Sequence, residues 1–320
     1  MPPVIIPVAA DRPTFLGAKR ADSLADLDRH RPEFAVVGVP FTPPYGMAGS
    51  RAASAPAPAA LREASRGPAR YLTHYDFDLG GDLGNGREIA LLDLGDVAMT
   101  PGRYAENSTA TTEVIAAILA RGVVPIILGG DHAVPIPTMR AYAGSPAMVV
   151  VQLDAHLDWR DEVDGEREGL SSPMRRASEL ANVAGMAQLG IRGVGSARAA
   201  EVAAARAYGS VIVTATEVHR EGVAVTLARV PAADRYYVTI DADGLDPAIA
   251  PGVLAPAFGG LSYDEAAGLL RGVAAKGAIV GVDLVEIVPD LDPRGFTSLL
   301  GVRLLLNLMG AMARSGQLPR

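Results

Sequence analysis

The 320-residue sequence predicts an α/β fold, a three-layer α/β/α sandwich around a mainly parallel sheet, and three observations lead there. Short Val/Ile/Leu-rich runs recur at residues 34–39, 89–94, 123–128, 148–153, 211–214, 236–240 and 278–284. They are apolar throughout rather than alternating, the pattern of strands buried on both faces. Stretches with helical spacing, such as 112–120 and 263–275, separate them, and strands alternating with helices put a helical layer on each side of the sheet.

Along the chain, residues 1–33 read as an N-terminal extension and 34–320 as a single domain, with no internal repeat and no interdomain linker. The Ala/Pro-rich passage 48–60 has the composition of a surface loop and runs into a helical pattern at Leu61-Arg62-Glu63-Ala64-Ser65. The formal net charge of -7 is spread without a basic block, which argues against nucleic acid or an anionic membrane as partner. With no cysteine, disulfides and thiolate metal sites are excluded, and any metal must be held by His and carboxylate. The N-terminus lacks a basic segment before Asp11 and Arg12, and no run approaches the ~18 uninterrupted apolar residues of a membrane span. A soluble cytoplasmic protein is the expectation.

Four polar clusters close the apolar runs: Gly129-Gly130-Asp131-His132, Asp154-Ala155-His156-Leu157-Asp158, Asp241-Ala242-Asp243 with Asp246, and Glu286. The carboxyl ends of parallel strands open on one crevice, so clusters distant in sequence can meet there. In 154–158 the polar residues fall at i, i+2 and i+4, on one face of an extended segment, and Asp241 and Asp243 repeat the i, i+2 spacing. Such a gathering of anions is costly unless cations neutralise it. Two imidazoles and four carboxylates are enough for two ions, and the oxygen-rich set favours Mn²⁺, with Ni²⁺, Co²⁺ or Fe²⁺ as alternatives. Asp-x-Asp alone usually marks a solvated turn, and a lone His beside Gly-Gly is more often structural. Three such motifs closing strand-like runs in order are hard to reach by accident. His30, His74 and His219 have no clustered partners and read as surface or capping residues, and Trp159 as packing.

Gly-Gly-Asp-His, Asp-Ala-His-x-Asp, and Asp241-Ala-Asp243-Gly-Leu-Asp246-Pro247-Ala-Ile-Ala250-Pro251-Gly252 resemble the motifs of the ureohydrolases, the arginase and agmatinase family, most closely its agmatinase-like branch. Gly38-Val39-Pro40-Phe41, Leu61-Arg62-Glu63-Ala64-Ser65, Gly190-Ile191-Arg192, and Asp283-Leu284-Val285-Glu286 followed by Pro289 extend the likeness from about Phe34 to the C-terminus. The resemblance implies that His132, Asp154, Asp158 and Asp241 hold one manganese while Asp154, His156, Asp241 and Asp243 hold the other. Water activated there would attack a guanidinium carbon and release urea and an amine. Glu286 would pair with the guanidinium, Asp158 would carry a proton to the departing nitrogen, and Asp246 would border the substrate. It also implies a homo-oligomer, trimer or hexamer.

Two departures bear on the substrate. The family's Ser-His-Gly-Thr-Pro-Phe-type loop becomes residues 169–176, with Leu170 where the histidine would stand, and its Gly-Thr-Gly-Thr-Pro loop becomes Gly252-Val253-Leu254-Ala255-Pro256. Both make the pocket mouth more apolar and point away from arginine and agmatine. Asp154-Ala-His-Leu-Asp158-Trp-Arg160 resembles the form found in formimidoylglutamases, in which Arg160 would meet a substrate carboxylate. Its structural alternative is a bond to Asp161 or Glu162. Formimidoylglutamase is therefore the enzymatic alternative. A non-catalytic metal-binding paralogue would have lost a ligand or the guanidinium carboxylate, and neither is lost here. A zinc deacetylase on the related fold would not need the second carboxylate set.

Overall fold

The computed structural model describes residues 4–41, 53–195 and 197–318. Its sheet is built from β1 (Ile5–Ile6), β2 (Lys19–Arg20), β3 (Phe34–Val39), β4 (Leu91–Val97), β5 (Val124–Gly129), β6 (Met148–Leu153), β7 (Val183–Ile191), β8 (Val211–Thr214), β9 (Arg235–Asp241) and β10 (Ala278–Val285). The strands lie in the order β1-β4-β3-β5-β10-β9-β6-β7-β8, with β2 also on β4. Only the β1–β4 pairing is antiparallel. The nine described helices are α1 (Asp26–His30), α2 (Ala57–Ala64), α3 (Tyr104–Leu119), α4 (Pro135–Arg140), α5 (Pro173–Ala177), α6 (Ala199–Tyr208), α7 (Ala215–Arg229), α8 (Tyr263–Lys276) and α9 (Phe296–Arg314).

Strand periodicity divides the core in two. Phe34 and Val36, Val149 and Val151, and Val238 and Ile240 point to one side, where residues of α2, α7, α8 and α9 cover them. Ala35 and Val37, Val150, and Tyr237 point to the other, under α1, α3, α4 and α5. These side chains are buried on both faces of the sheet, which is why the runs read as apolar without alternation. Pro293–Arg314 is apolar and long enough to cross a membrane, but 67% of its most apolar window is buried inside the fold.

Before Phe34 the chain is stitched to the sheet by β1 and β2 and by Asp93, whose carboxylate accepts from the Phe15 N–H and from Arg62. The passage 48–60, read as a loop, lies outside the described residues up to 52. Its last part, from Ala57, is already helix α2, with Pro58 in the first turn, where a missing N–H costs nothing.

Candidate metal centre

Strands β5, β10, β9 and β6 are consecutive neighbours, and the four polar clusters follow their carboxyl ends. In each metal motif the leading aspartate turns back onto the backbone two residues on. Asp131 Oδ1 accepts from Ala133 N at 3.0 Å, Asp154 Oδ1 from His156 N at 2.5 Å and Asp241 Oδ1 from Asp243 N at 2.8 Å. The i, i+2 spacing thus makes a tight turn as well as a shared face. At Gly130 an added Cβ would lie 2.2 Å from Phe41 O, so the glycine turn can approach that backbone only without a side chain.

Two donor groups result. His132 Nδ1 faces Asp158 Oδ2 at 2.8 Å and Asp154 Oδ2 and Asp241 Oδ2 at 3.0 Å. His156 Nδ1 faces Asp243 Oδ2 at 3.0 Å and Asp154 Oδ1 at 3.5 Å. Asp154 therefore turns one oxygen to each group, and it belongs to both of the clusters able to hold a metal ion. His132, Asp154, Asp158, Asp241 and Asp243 are buried, while the His156 side chain keeps 27% exposure and opens the second group toward solvent.

Electrostatics points the same way. Burial, then repulsion from Asp243 and Asp154, pushes Asp241 well above the carboxylate range, and burial and Asp154 push Asp158 up to about 7. Burial works against charge on His156, yet Asp154 and Asp243 push it up to about 12. The cluster thus favours positive charge at His156. His132 Nδ1 and Asp158 Oδ2, though adjacent and buried, make no hydrogen bond of acceptable geometry. An orphaned donor pair of this kind, inside a His₂Asp₄ set, fits divalent cations.

Glu286 follows β10, is buried, and accepts from His132 N at 2.8 Å while donating its own N–H to Gly130 O at 2.9 Å. Burial pushes its carboxyl up to about 7. Both Glu286 (φ 63°) and Asp158 (φ 51°) sit in the left-handed region, strain of the kind retained where side-chain direction matters.

The remaining expected residues fall outside the donor cluster. Leu170 is half-buried in a loop whose ends are tied by Arg160 N to Ser171 O and Arg175 N to Asp158 O. Arg160 is half-buried and, among the described residues, has no carboxylate within ion-pair distance. Its expected structural partner Asp161 is engaged by Arg176, Arg167 and Arg175 instead. Asp246 spends its carboxylate on the N–H groups of Ala248, Gly259 and Gly260, which anchors the 257–260 loop. His219 has partners after all: Glu265 Oε1 at 2.7 Å and Gly259 O at 3.2 Å. His74 is exposed beside Tyr71, and Trp159 packs against Tyr208.

Several supporting residues had been given no role from the sequence, although Arg192 and Asp283 stand in the quoted motifs. Gln152 donates to Asp154 Oδ2 at 2.5 Å and its Oε1 accepts from Gln188. Arg192 donates to the carbonyls of Asp243, Gly244 and Leu245, fixing the turn that carries Asp243. Thr239 sits 3.0 Å from His132 Nε2 and donates to Asp283. Their signal was a polar residue inside an apolar strand: Gln152 after three valines, Thr239 between Val238 and Ile240, Asp283 between Val282 and Leu284.

The arginase-family model matches residues 32–310. Guanidinobutyrase of Pseudomonas aeruginosa is 34% identical over 227 residues, 69% of this chain and 70% of that protein. The mitochondrial guanidino acid hydrolase of Homo sapiens is 30% identical over 234 residues, 71% of this chain and 66% of that protein. The structure of proclavaminate amidinohydrolase from Streptomyces clavuligerus superimposes with a TM-score of 0.79 at 28% identity, covering 96% of this chain and 98% of that one. Fold and donor cluster thus define a metal-dependent hydrolase. The chain belongs to the arginase family.

Proposed function

We propose that this enzyme cleaves a linear C–N bond of a carboxylate-bearing guanidino compound other than arginine or agmatine, releasing urea, at a dinuclear Mn²⁺ centre. The observation carrying the reading is Asp154, which offers one oxygen to each of two histidine-centred groups. His132, Asp154, Asp158 and Asp241 would hold one ion, and Asp154, His156, Asp241 and Asp243 the other, with Ni²⁺ or Co²⁺ as alternative metals. When bound, the ions supply Lewis acidity that brings the pKa of water toward ~7.

The protein's own groups do the rest. Glu286, held by the His132 N–H, presents its carboxylate to a planar guanidinium, whose fork of donors it matches. Asp158, beside His132 in the first donor group, would take a proton from the attacking water and hand it to the departing nitrogen. That role matters more here because Leu170 has no proton to give. Arg160, with no carboxylate within ion-pair distance among the described residues, is available to a substrate carboxylate, and two relatives bear the names guanidinobutyrase and guanidino acid hydrolase.

The same Arg160 suits a formimidoylglutamase-type substrate, and a formimidoylglutamase from Halalkalibacterium halodurans is 29% identical over 289 residues. We extend the reading to a cytoplasmic homo-oligomer, trimer or hexamer, with residues 34–320 as one catalytic domain. Light scattering measures the assembly. The function is tested by product analysis across guanidino acids, agmatine, arginine and formimidoylglutamate, with Mn²⁺, Ni²⁺ and Co²⁺ loaded separately. Urea from a guanidino acid is expected. Formamide as the product moves the reading to the formimidoyl substrate, and agmatine or arginine as the best substrate refutes it.

A further inference from the structure

Asp283 neither holds a metal nor meets substrate in the reading above, yet it is a fully buried carboxylate beside the outer nitrogen of a metal ligand. Both its oxygens are taken by hydroxyls: Thr239 Oγ1 donates to Oδ1 at 2.6 Å, and Tyr237 OH donates to Oδ2. The arrangement follows from the sheet. Tyr237, Thr239 and Asp241 alternate onto one face of β9, and Asp283 is the register partner of Thr239 on β10. Gly281, the partner of Tyr237, leaves room for that ring, since a Cβ there would stand 3.1 Å from it and 2.1 Å from Tyr142 OH.

The direction of the hydrogen bonds can be read along this line. A hydroxyl has one proton, and Thr239 spends its proton on Asp283. Toward His132 Nε2, 3.0 Å away, Thr239 Oγ1 is therefore an acceptor, and Nε2 carries the hydrogen. Nδ1, facing Asp154, Asp158 and Asp241, is then the nitrogen that can give a lone pair to a cation. The opposite tautomer would set the Nε2 lone pair against a lone pair of Thr239.

We propose that Asp283, acting through Thr239 and braced by Tyr237, is a positioning residue that fixes which nitrogen of His132 meets the metal. The inference rests on the metal-centre reading, because it assigns Nδ1 to a cation. Partners of this kind behind a ligating imidazole typically change metal affinity about 10–100-fold when lost.

The test uses the full chain and two readouts. Free Mn²⁺ is measured by EPR during titration of wild type, Thr239→Val, Thr239→Ser, Asp283→Asn and the Thr239→Val/Asp283→Asn double variant. The His132 Nε2 proton is followed by NMR in metal-free, ¹⁵N-histidine-labelled protein. Thr239→Val and Asp283→Asn should each weaken Mn²⁺ binding about 10–100-fold, and Thr239→Ser, which keeps the hydroxyl, should restore it to within about threefold. The double variant should bind about as weakly as the worse single one, because both cut one chain. The Nε2 proton should be seen in wild type and Thr239→Ser and be lost to rapid exchange in Thr239→Val. If Asp283→Asn fails to fold, Tyr237→Phe takes its place, with a smaller loss in the same direction. Wild-type Mn²⁺ affinity in the single variants, losses that multiply in the double, or an unchanged Nε2 proton in Thr239→Val overturns the proposal. Absence of Mn²⁺ binding by wild type itself would instead overturn the metal-centre reading, leaving the Nε2 proton to decide the hydrogen-bond direction.

Discussion

Glu286→Gln separates the two jobs of one side chain. The amide oxygen of glutamine can still accept the His132 N–H now received at 2.8 Å by Oε1, so the clamp between the ends of β5 and β10 should persist. The other end changes sign in hydrogen-bond terms. Where Oε2 would accept from a guanidinium N–H, an amide presents a donor to a donor. A hydrogen bond to a charged group contributes roughly 1.5–3 kcal/mol, and the buried donor–donor contact adds to the loss, for a total of about 3–4 kcal/mol. At 1.36 kcal/mol per decade this is a fall of about 10²–10³ in kcat/KM. The assay is urea release at fixed Mn²⁺ loading, with metal content and melting temperature measured on the same samples. Both of those should stay at their wild-type values. Unchanged kcat/KM would move the guanidinium carboxylate elsewhere, and loss of metal with activity would show that Glu286 supports the metal centre instead.

Three further outcomes are expected. Arg160→Ala should raise KM at least about tenfold for substrates bearing a carboxylate and leave agmatine turnover within about twofold; an equal loss on both would make Arg160 structural. Leu170→His should raise agmatine hydrolysis, recovering part of the roughly 10²–10⁴ that a positioned general acid contributes; no gain would show that this loop does not occupy the family position. Metal uptake should depend on pH with a defined sign. Burial disfavours a charged His156, but Asp154 and Asp243 push it up to about 12, so at neutral pH an entering cation must displace its proton. Affinity should therefore rise with pH by about tenfold per unit for each proton displaced between about pH 6 and 9, and a flat titration by EPR would contradict the protonated apo site.

How much of this was legible in the sequence follows from what each residue does locally. The runs 34–39 and 148–153 coincide with strands β3 and β6, because strands covered on both faces write their burial directly into composition, and 211–214 coincides with the edge strand β8, where Val213 is buried. Strand β7 (Val183–Ile191) escaped notice because Ala184, Gly185, Ala187, Gln188 and Gly190 break the β-branched signal, although five of its neighbouring residues, Met186 to Gly190, are buried. The two-residue strands β1 and β2 exist only through pairing with β4, more than seventy residues away, which local pattern does not encode.

At the site, the residues of the two donor groups were readable because carboxylates and histidines at strand ends have few other uses in such spacing. Their supports were not. Thr239, Gln152 and Asp283 act across strands, and their meaning depends on a register that brings Asp283 opposite Thr239. Asp246 shows the converse: its place in a family motif suggested substrate contact, and the structure adds a local role, its carboxylate accepting from three backbone N–H groups.

The account stands or falls on two cations per chain. Six side chains, His132, Asp154, His156, Asp158, Asp241 and Asp243, converge as two groups that share Asp154, and so many buried carboxylates stay ionised only with added positive charge. The direct measurement is metal stoichiometry by plasma mass spectrometry on protein loaded with excess Mn²⁺ and desalted, alongside Asp241→Ala. The account predicts about two ions per chain for wild type, with occupancy and turnover both lost in Asp241→Ala. No more than one ion per chain in fully loaded, active wild type would contradict it.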